Sequence, residues 1–112
     1  MKLWIDDVRP APEGYVWLKS ADEAKNFIRQ WLIFANHTWV VMREPQTFPK
    51  IELIDIDHDA GDFQQDGGDY IKVLDWLEYQ HLSFPIRIHS QNPVGVANMR
   101  RIIQRNNWKE VF

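Results

Sequence analysis

The stretch Ile51 to Asp62, IELIDIDHDAGD, constrains the fold more than any other, because an apolar run changes there into closely spaced carboxylates and a histidine. A short run rich in Ile and Leu is typical of a buried strand in a parallel sheet, and Asp and Gly end strands. The pattern predicts a strand from about Glu52 to Asp57. Asp57, His58 and Asp59 then stand at its carboxyl end, the edge of an open α/β sheet where ligands bind.

Length and composition limit the number of domains, the kinds of chemistry and the kinds of partner that the chain can have. A chain of 112 residues fits a single domain, residues 1–112, with a self-supporting core. It has no cysteine, which excludes disulfides, thiolate zinc sites and cysteine nucleophiles. MKLWIDDVRP reaches acid at Asp6 and no apolar run approaches membrane-spanning length, so we expect a soluble cytoplasmic protein without a signal peptide. A net charge of -3 predicts no long nucleic acid partner but allows a small phosphorylated, nucleotide-like ligand.

Short strands and amphipathic helices alternate along the chain. Ser20 is predicted to cap a helix from Ala21 to about Phe34, with Glu23 completing a capping box. The segment Asn36 to Lys50 holds two prolines and is predicted to be an insertion, in which Trp39 to Met42 forms a short extra strand. The other predicted elements are strands at Lys2–Ile5, Tyr15–Leu18, Pro85–His89 and Trp108–Phe112, and helices at Tyr70–Gln80 and Val94–Arg105.

This alternation predicts an α/β domain with a parallel sheet of about five strands. The loop VRPAPEG, with two prolines and a glycine, leaves no room for a helix between the first two strands. Because the loop is short for a crossover between parallel neighbours, the direction of the second strand stays open.

Polar side chains follow three of the predicted strands. The carboxyl ends of parallel strands lie side by side, so these residues are predicted to share one pocket. Several carboxylates in one pocket repel one another unless a cation or shared protons offset the charge, and Mg²⁺ suits oxygen ligands of this kind. The residues concerned are Asp6, Asp7, Asp57, His58, Asp59, His89, Ser90 and Asn92.

These motifs resemble the receiver domain of response regulators. There an acidic pair follows the first strand, a phosphoacceptor aspartate ends the third, and a Ser or Thr ends the fourth. Asp6 and Asp7 match the pair, Asp57 the phosphoacceptor and Ser90 the hydroxyl position. WIDDVRPAPEGY, DIDHDAGD and IHSQNPVGVANMRRII resemble still more closely a receiver-like family named for cyclic-phosphate processing. The resemblance implies a single flavodoxin-like domain that lacks the first and last receiver helices.

The chain departs from ordinary receivers in ways that disfavour phosphorelay signalling. No lysine stands at the end of a fifth strand, since Lys109 falls too early in WKEVF. His58 and His89 stand at strand ends, where phosphoacceptor chemistry does not require histidine.

The resemblance and the converging strand ends together imply a hydrolase that acts on cyclic phosphate esters of nucleotides or ADP-ribose. Such hydrolysis needs an activated water, protonation of the leaving hydroxyl and neutralisation of phosphoryl charge. The implied roles are catalytic for Asp57, His58 and His89, substrate-binding for Arg9, Ser90 and Asn92, and Mg²⁺-binding for Asp6, Asp7, Asp57 and Asp59.

Each of these residues also has a structural interpretation. The acids suit turns, the histidines suit packing or solvent, and Ser90 and Asn92 suit the cap of the following helix. Asp55 is predicted to be a structural partner of Arg87 rather than a ligand. Two alternatives for the whole protein stay open: a module that binds a phosphorylated ligand or a protein partner without chemistry, and a phosphoacceptor at Asp57.

The missing helices also lead to an expectation about assembly. One face of the predicted sheet would be bare, with Trp4 or Trp17 exposed on it, and apolar patches of that kind mark interfaces. Either the insertion folds back over this face or two copies pack together. We expect a homodimer.

Overall fold

Four parallel strands and the helices between them build the domain. The computed structural model describes the backbone of residues 1–42 and 49–112 and the side chains of residues 1–36 and 49–112. Within these residues the sheet has the order β2 (Tyr15–Leu18), β1 (Lys2–Ile5), β3 (Leu53–Ile56) and β4 (Ile86–Ile88), and every neighbouring pair is parallel. This confirms the receiver-like α/β fold. The elements are β1 (Lys2–Ile5), β2 (Tyr15–Leu18), α1 (Ala21–Met42), β3 (Leu53–Ile56), α2 (Ile71–Tyr79), β4 (Ile86–Ile88) and α3 (Pro93–Arg105).

Alternation along the strands divides their side chains between two faces. The connections from β2 to β3 and from β3 to β4 run in the same direction across the sheet. Right-handed crossovers therefore place α1 and α2 on the same face. The fully buried strand side chains on this face pack with apolar side chains of the helices, and their burial is the main source of stability. The strand members of this core are Leu3, Ile5, Ile54, Ile56 and Ile86, and the helix members include Ile28, Val73, Leu74, Leu77, Met99 and Ile103.

The second strand runs parallel to the first although only residues 6–14 connect them. This connection contains no helix, and two indole groups hold its first part against the sheet. The Nε1–H of Trp4 donates to the carbonyl of Arg9 at 2.8 Å, and that of Trp17 donates to the carbonyl of Asp6 at 2.8 Å. The tryptophan side chains therefore fix the loop that follows β1.

Helix α1 is longer than predicted. It was expected to end near Phe34, but it runs from Ala21 to Met42, so the strand predicted at Trp39 to Met42 is wrong. No proline or glycine interrupts the sequence between Ala21 and Met42, so a helix already nucleated can continue through residues with good strand propensity. Residues 43–48 of the predicted insertion lie outside the described residues. Although α1 has 22 residues, no helix in the described part of the chain has the apolar length needed to cross a membrane.

The predicted fifth strand is reduced to a single bridge. Glu110 pairs with Ile86 in the parallel direction, and the Ile86 N–H donates to the Lys109 carbonyl at 2.9 Å. Because β4 has only three residues, it offers few positions for a further strand. The described sheet therefore has four strands and a short flanking segment rather than five strands.

The expectation that Trp4 is exposed on a bare sheet face is wrong. Trp4 is 8% exposed, since its ring lies against His89 on one side and contacts the edge of Tyr15. Trp17 is half-buried. The homodimer stays a prediction, but an exposed Trp4 no longer supports it.

The cap of α1 gives a direct test of how the fold is specified. Ser20 Oγ accepts the Glu23 N–H at 3.0 Å, as the capping-box pattern predicts. We expect Ser20→Ala to lower the free energy of unfolding by about 1 kcal/mol, because the N–H loses its partner. Urea unfolding measures the change. Ser83→Ala, at an exposed serine outside any helix, is the matched control, and equal effects of the two variants would contradict the capping role.

Candidate active site

The carboxyl ends of β1, β3 and β4 bring three predicted site residues together. Asp6, Asp57 and His89 each place one possible ligand atom within 4.8 Å of the others. Asp6 and Asp57 are buried, and the His89 side chain is 8% exposed. Parallel pairing produces this cluster, because each of the three residues directly follows the last residue of its strand.

Four donors surround the buried carboxylate of Asp6. Its Oδ1 accepts the N–H groups of Val8 and Arg9 at 3.0 and 2.9 Å. Its Oδ2 lies 2.9 Å from His89 Nε2 and 3.2 Å from Arg9 Nε. Burial alone would raise the pKa of Asp6, but the hydrogen bonds from Arg9, His89 and Val8 outweigh it and hold this pKa below its ordinary value of 3.8. Asp6 is therefore a fixed negative charge that orients its neighbours.

Both ring nitrogens of His89 contact carboxylates. Nδ1 lies 2.6 Å from Asp55 Oδ1, and Nε2 lies 2.9 Å from Asp6 Oδ2. Trp4 stacks on the ring with centroids 3.9 Å apart and planes 5° apart. An ionised carboxylate only accepts hydrogen bonds, so the ring is held between two acceptors. In this arrangement neither nitrogen is free for a substrate.

Arg9 links the first and third strand ends. Its Nε lies 3.2 Å from Asp6 Oδ2 and its Nη2 lies 3.4 Å from Asp57 Oδ2, while 43% of the side chain stays exposed. A guanidinium in this position offsets two carboxylates and keeps N–H donors facing solvent.

An open polar cavity of about 400 Å³ lies beside this pair. Asn92, which lines it, caps α3, since its Oδ1 accepts the Gly95 N–H at 3.0 Å. Ser90 also lines the cavity, and its Oγ accepts the backbone N–H of this cap residue at 3.1 Å. Capping and binding are compatible, because a helix N-terminus also attracts anions. The full lining is Arg9, Asp57, Asp59, Ser90, Gln91 and Asn92, of which the sequence interpretation missed only Gln91.

A larger cavity, of about 640 Å³, lies between β2 and α1. Its acidic side chains are Asp22, Glu23 and Asp66, and none of the strand-end residues lines it. Size alone would favour this cavity, but the predicted chemical groups converge on the smaller one. We therefore assign the candidate site to the smaller cavity.

His58 lies apart from His89. Its Nδ1 contacts Asp59 Oδ1 at 2.8 Å, and its ring packs so closely on Gly95 of α3 that an added Cβ would lie 2.4 Å from the ring. The side chain is 14% exposed and forms a second group with Asp59 and Asp69. Neither histidine lines the cavity, although His58 adjoins its wall through Asp59 and Asn92.

The Asp7 carboxylate lies against Gly61. A Cβ at Gly61 would be 2.2 Å from Asp7 Oδ2, and its φ of +53° also favours glycine. Burial raises the pKa of Asp7, and the negative charges of Asp6 and Asp57 raise it further. The carboxylates are thus only partly neutralised by Arg9 and His89, and these oxygen donors fit a hard divalent cation such as Mg²⁺.

Two supporting residues of the site were not predicted. The ion pair from Arg87 to Asp55, at 3.2 Å, is present as expected, but Asp55 also holds His89. Trp4, expected on the surface, covers the His89 ring. Strand alternation carried the available signal, since Asp55 stands two residues before Asp57 and Trp4 stands two residues before Asp6.

The family model described as the cyclic-phosphate processing receiver domain matches residues 1–105. Neither the curated proteins nor the solved structures contain a match to this chain.

The adjacent acids Asp6 and Asp7 should affect stability in opposite directions. We expect Asp6→Asn to lower the free energy of unfolding at pH 7 by about 3 kcal/mol, because it breaks buried charge pairs. The pKa of Asp6 is lowered when folded, so its contribution is present above the ordinary value of 3.8 and is lost as the pH falls through the folded pKa. At such low pH the substitution Asp6→Asn should therefore lower the free energy of unfolding by less than it does at pH 7.

Asp7→Asn should instead stabilise the protein at pH 7. The folded pKa of Asp7 is raised, so its ionisation near neutral pH opposes folding, and this cost disappears as the pH falls below the raised pKa. Urea unfolding at several pH values, in the presence of a chelator, measures both variants. The same sign for both at pH 7 would contradict this account of the cluster.

The contact between His58 and Gly95 can be tested with a double-mutant cycle. Ala is about 1 kcal/mol more favourable than Gly inside a helix, so Gly95→Ala would normally stabilise α3. Here the new Cβ would strike the His58 ring, so we expect no stabilisation in the native background. In the His58→Ala background the ring is absent, and Gly95→Ala should stabilise the protein by about 1 kcal/mol. Equal effects in both backgrounds, measured by urea unfolding, would rule out the contact.

Proposed function

Since the chain belongs to the cyclic-phosphate processing receiver domain family, we propose that it hydrolyses a cyclic phosphate ester of a nucleotide or of ADP-ribose. The observation that carries this proposal is the Arg9–Asp57 pair in a polar cavity at the N-terminus of α3. Such a cavity offers a cation for the phosphate and a carboxylate for water within one small volume.

The phosphoryl group would bind between Arg9 and the start of α3. Arg9 keeps donors exposed. The Ser90 hydroxyl accepts the Asn92 N–H through its oxygen, which leaves its proton to donate to the phosphate. Hydrogen bonds from a guanidinium, a hydroxyl and a helix N-terminus stabilise negative charge on phosphoryl oxygens. They are of most use when they strengthen as that charge grows in the transition state.

Asp57 is the proposed general base. Its Oδ1 accepts the backbone N–H of His58 at 2.8 Å, which fixes the carboxylate. Its Oδ2 lies beside Arg9 in the cavity. A water that gives its proton to Asp57 would attack phosphorus. The new P–O bond forms as one ring P–O bond breaks, which leaves an acyclic phosphate monoester and a free hydroxyl.

His58 is the proposed proton donor to the leaving oxygen. Asp59 holds its Nδ1, and among the described residues its Nε2 has no hydrogen-bond partner, as suits an acid–base imidazole. His89 has both nitrogens bonded, so we propose that it contributes charge and orientation instead.

We also propose that a divalent cation accompanies the substrate. The charged lining of the cavity is one cation, Arg9, against two carboxylates, Asp57 and Asp59, which disfavours an anionic substrate. Asp57 and Asp59, the carboxylates of the cavity lining, would hold Mg²⁺, which would neutralise phosphoryl charge when bound. Asp7 is omitted because it does not line the cavity and lies against Gly61. Asp6 is omitted from this ligand set because four donors already occupy it.

A binding module without chemistry is the second candidate. The observation that favours it is that neither His58 nor His89 lines the cavity. In that case the same Arg9, Ser90 and α3 N-terminus would retain a phosphorylated ligand, and no proton transfer would follow.

Turnover tests the hydrolase directly. The purified protein would be incubated with nucleoside 2',3'-cyclic phosphates and with ADP-ribose cyclic phosphate, with Mg²⁺ or with a chelator. We expect an acyclic monoester product, and Asp57→Asn should lower kcat by about 100-fold or more, because it removes the base. Asp62→Asn, at an exposed acid outside the cavity, is the matched control. Absence of turnover for every substrate would refute the hydrolase for those substrates.

Histidine substitution separates the two candidates. If the protein is a hydrolase, His58→Ala should abolish turnover while ligand affinity is nearly unchanged. If wild-type protein binds a cyclic phosphate tightly by calorimetry but does not convert it, the binding module is favoured. A mass gain of one phosphoryl group from a small phosphodonor would instead favour a phosphoacceptor at Asp57.

A further inference from the structure

A buried hydrogen-bonded chain runs beneath the proposed site, from the middle of β3 to the end of β1. Asp55 is 0% exposed and contacts His89 Nδ1 at 2.6 Å, and His89 Nε2 contacts Asp6 at 2.9 Å. Asp55 belongs to neither the cavity lining nor the proposed cation ligands. Its buried carboxylate therefore reaches the site only through the His89 ring.

Trp4 supports the same chain from β1. It is the register neighbour of Asp55, its indole stacks on the His89 ring, and its Nε1–H donates to the Arg9 carbonyl. One side chain thus contacts both residues that pair with Asp6 Oδ2, His89 through its ring and Arg9 through its carbonyl. With Trp4 against one ring face and carboxylates at both nitrogens, His89 has no freedom to rotate without breaking a contact.

We propose that Asp55 is a positioning residue for the hydrolysis, acting through His89 and assisted by Trp4; this inference rests on the proposed function. Asp55 fixes Nδ1, so Nε2 points at Asp6 Oδ2. That oxygen also receives Arg9 Nε, and Arg9 Nη2 then reaches Asp57 Oδ2 at 3.4 Å. Loss of the Asp55 carboxylate releases the His89 ring, and the alignment of Arg9 with Asp57 is lost in turn.

Arg87 provides a control that separates this role from simple stabilisation. Its Nη1 lies 3.2 Å from Asp55 Oδ2, on the oxygen that does not face His89, and 47% of the Arg87 side chain is exposed. Arg87→Gln breaks the ion pair with Asp55 and leaves the Asp55–His89 contact in place. Asp55→Asn leaves one acceptor oxygen with almost no change in side-chain volume. The donor-only guanidinium of Arg87 favours that oxygen, so the amide nitrogen faces His89 Nδ1 and cannot accept its proton.

The experiment compares wild type, Asp55→Asn and Arg87→Gln in the full chain, on whichever cyclic phosphate the wild type converts. We expect kcat of Asp55→Asn to fall by about 10-fold to 100-fold, the range seen when a metal-ligating histidine loses the carboxylate that orients it. Arg87→Gln should keep wild-type kcat. Amide NMR spectra confirm that each variant is folded.

A second readout follows the hydrogen bond itself. Proton NMR should show a slowly exchanging Nδ1–H signal of His89, assigned by its loss in His89→Gln, in wild type and in Arg87→Gln but not in Asp55→Asn. Equal kcat for Asp55→Asn and Arg87→Gln, or the same His89 signal in both, would overturn the positioning role. An inactive wild type would overturn the proposed function and this inference with it, and that result is distinct because it appears before any substitution.

Discussion

The rest of the site depends on one constraint: the negative charges of the carboxylates at the strand ends must be offset by neighbouring groups. Parallel pairing forces Asp6 and Asp57 close together, and the Coulomb repulsion between them grows as water is excluded. Arg9 and His89 both contact Oδ2 of Asp6 and offset this repulsion there. A charge buried without its partner typically costs about 3–5 kcal/mol, so the acids and their cations form one cooperative unit.

The missing first helix makes this compensation possible. Where a receiver domain has a helix after the first strand, this chain has the loop of residues 6–14, and Arg9 lies within it. A loop has more backbone freedom than a helix and must be held by other contacts. The indoles of Trp4 and Trp17 bond to carbonyls of that loop, which keeps Arg9 within reach of Asp6 and Asp57.

Local pattern in the sequence predicts the features that depend on periodicity. The bounds of β1 and β2, the cap at Ser20 and the convergence of strand ends follow from alternation, capping chemistry and parallel order. The end of α1 was missed because propensity alone does not stop a helix that lacks proline or glycine. The fifth strand was overpredicted because β4, its neighbour, is short. The pattern predicted β4 as Pro85–His89, but the strand has only the three residues Ile86–Ile88.

His58 and His89 show what local sequence pattern does not predict. Both stand at the ends of predicted strands, so the sequence alone does not distinguish the role of His58 from that of His89. The fold separates them: His89 receives its partners from β1 and β3, which are distant in sequence, whereas His58 pairs with its neighbour Asp59. An imidazole with one bonded nitrogen can exchange a proton at the other, but one bonded at both nitrogens must break a contact first. Long-range packing therefore decides which histidine can take part in proton transfer and which one orders the charges around it.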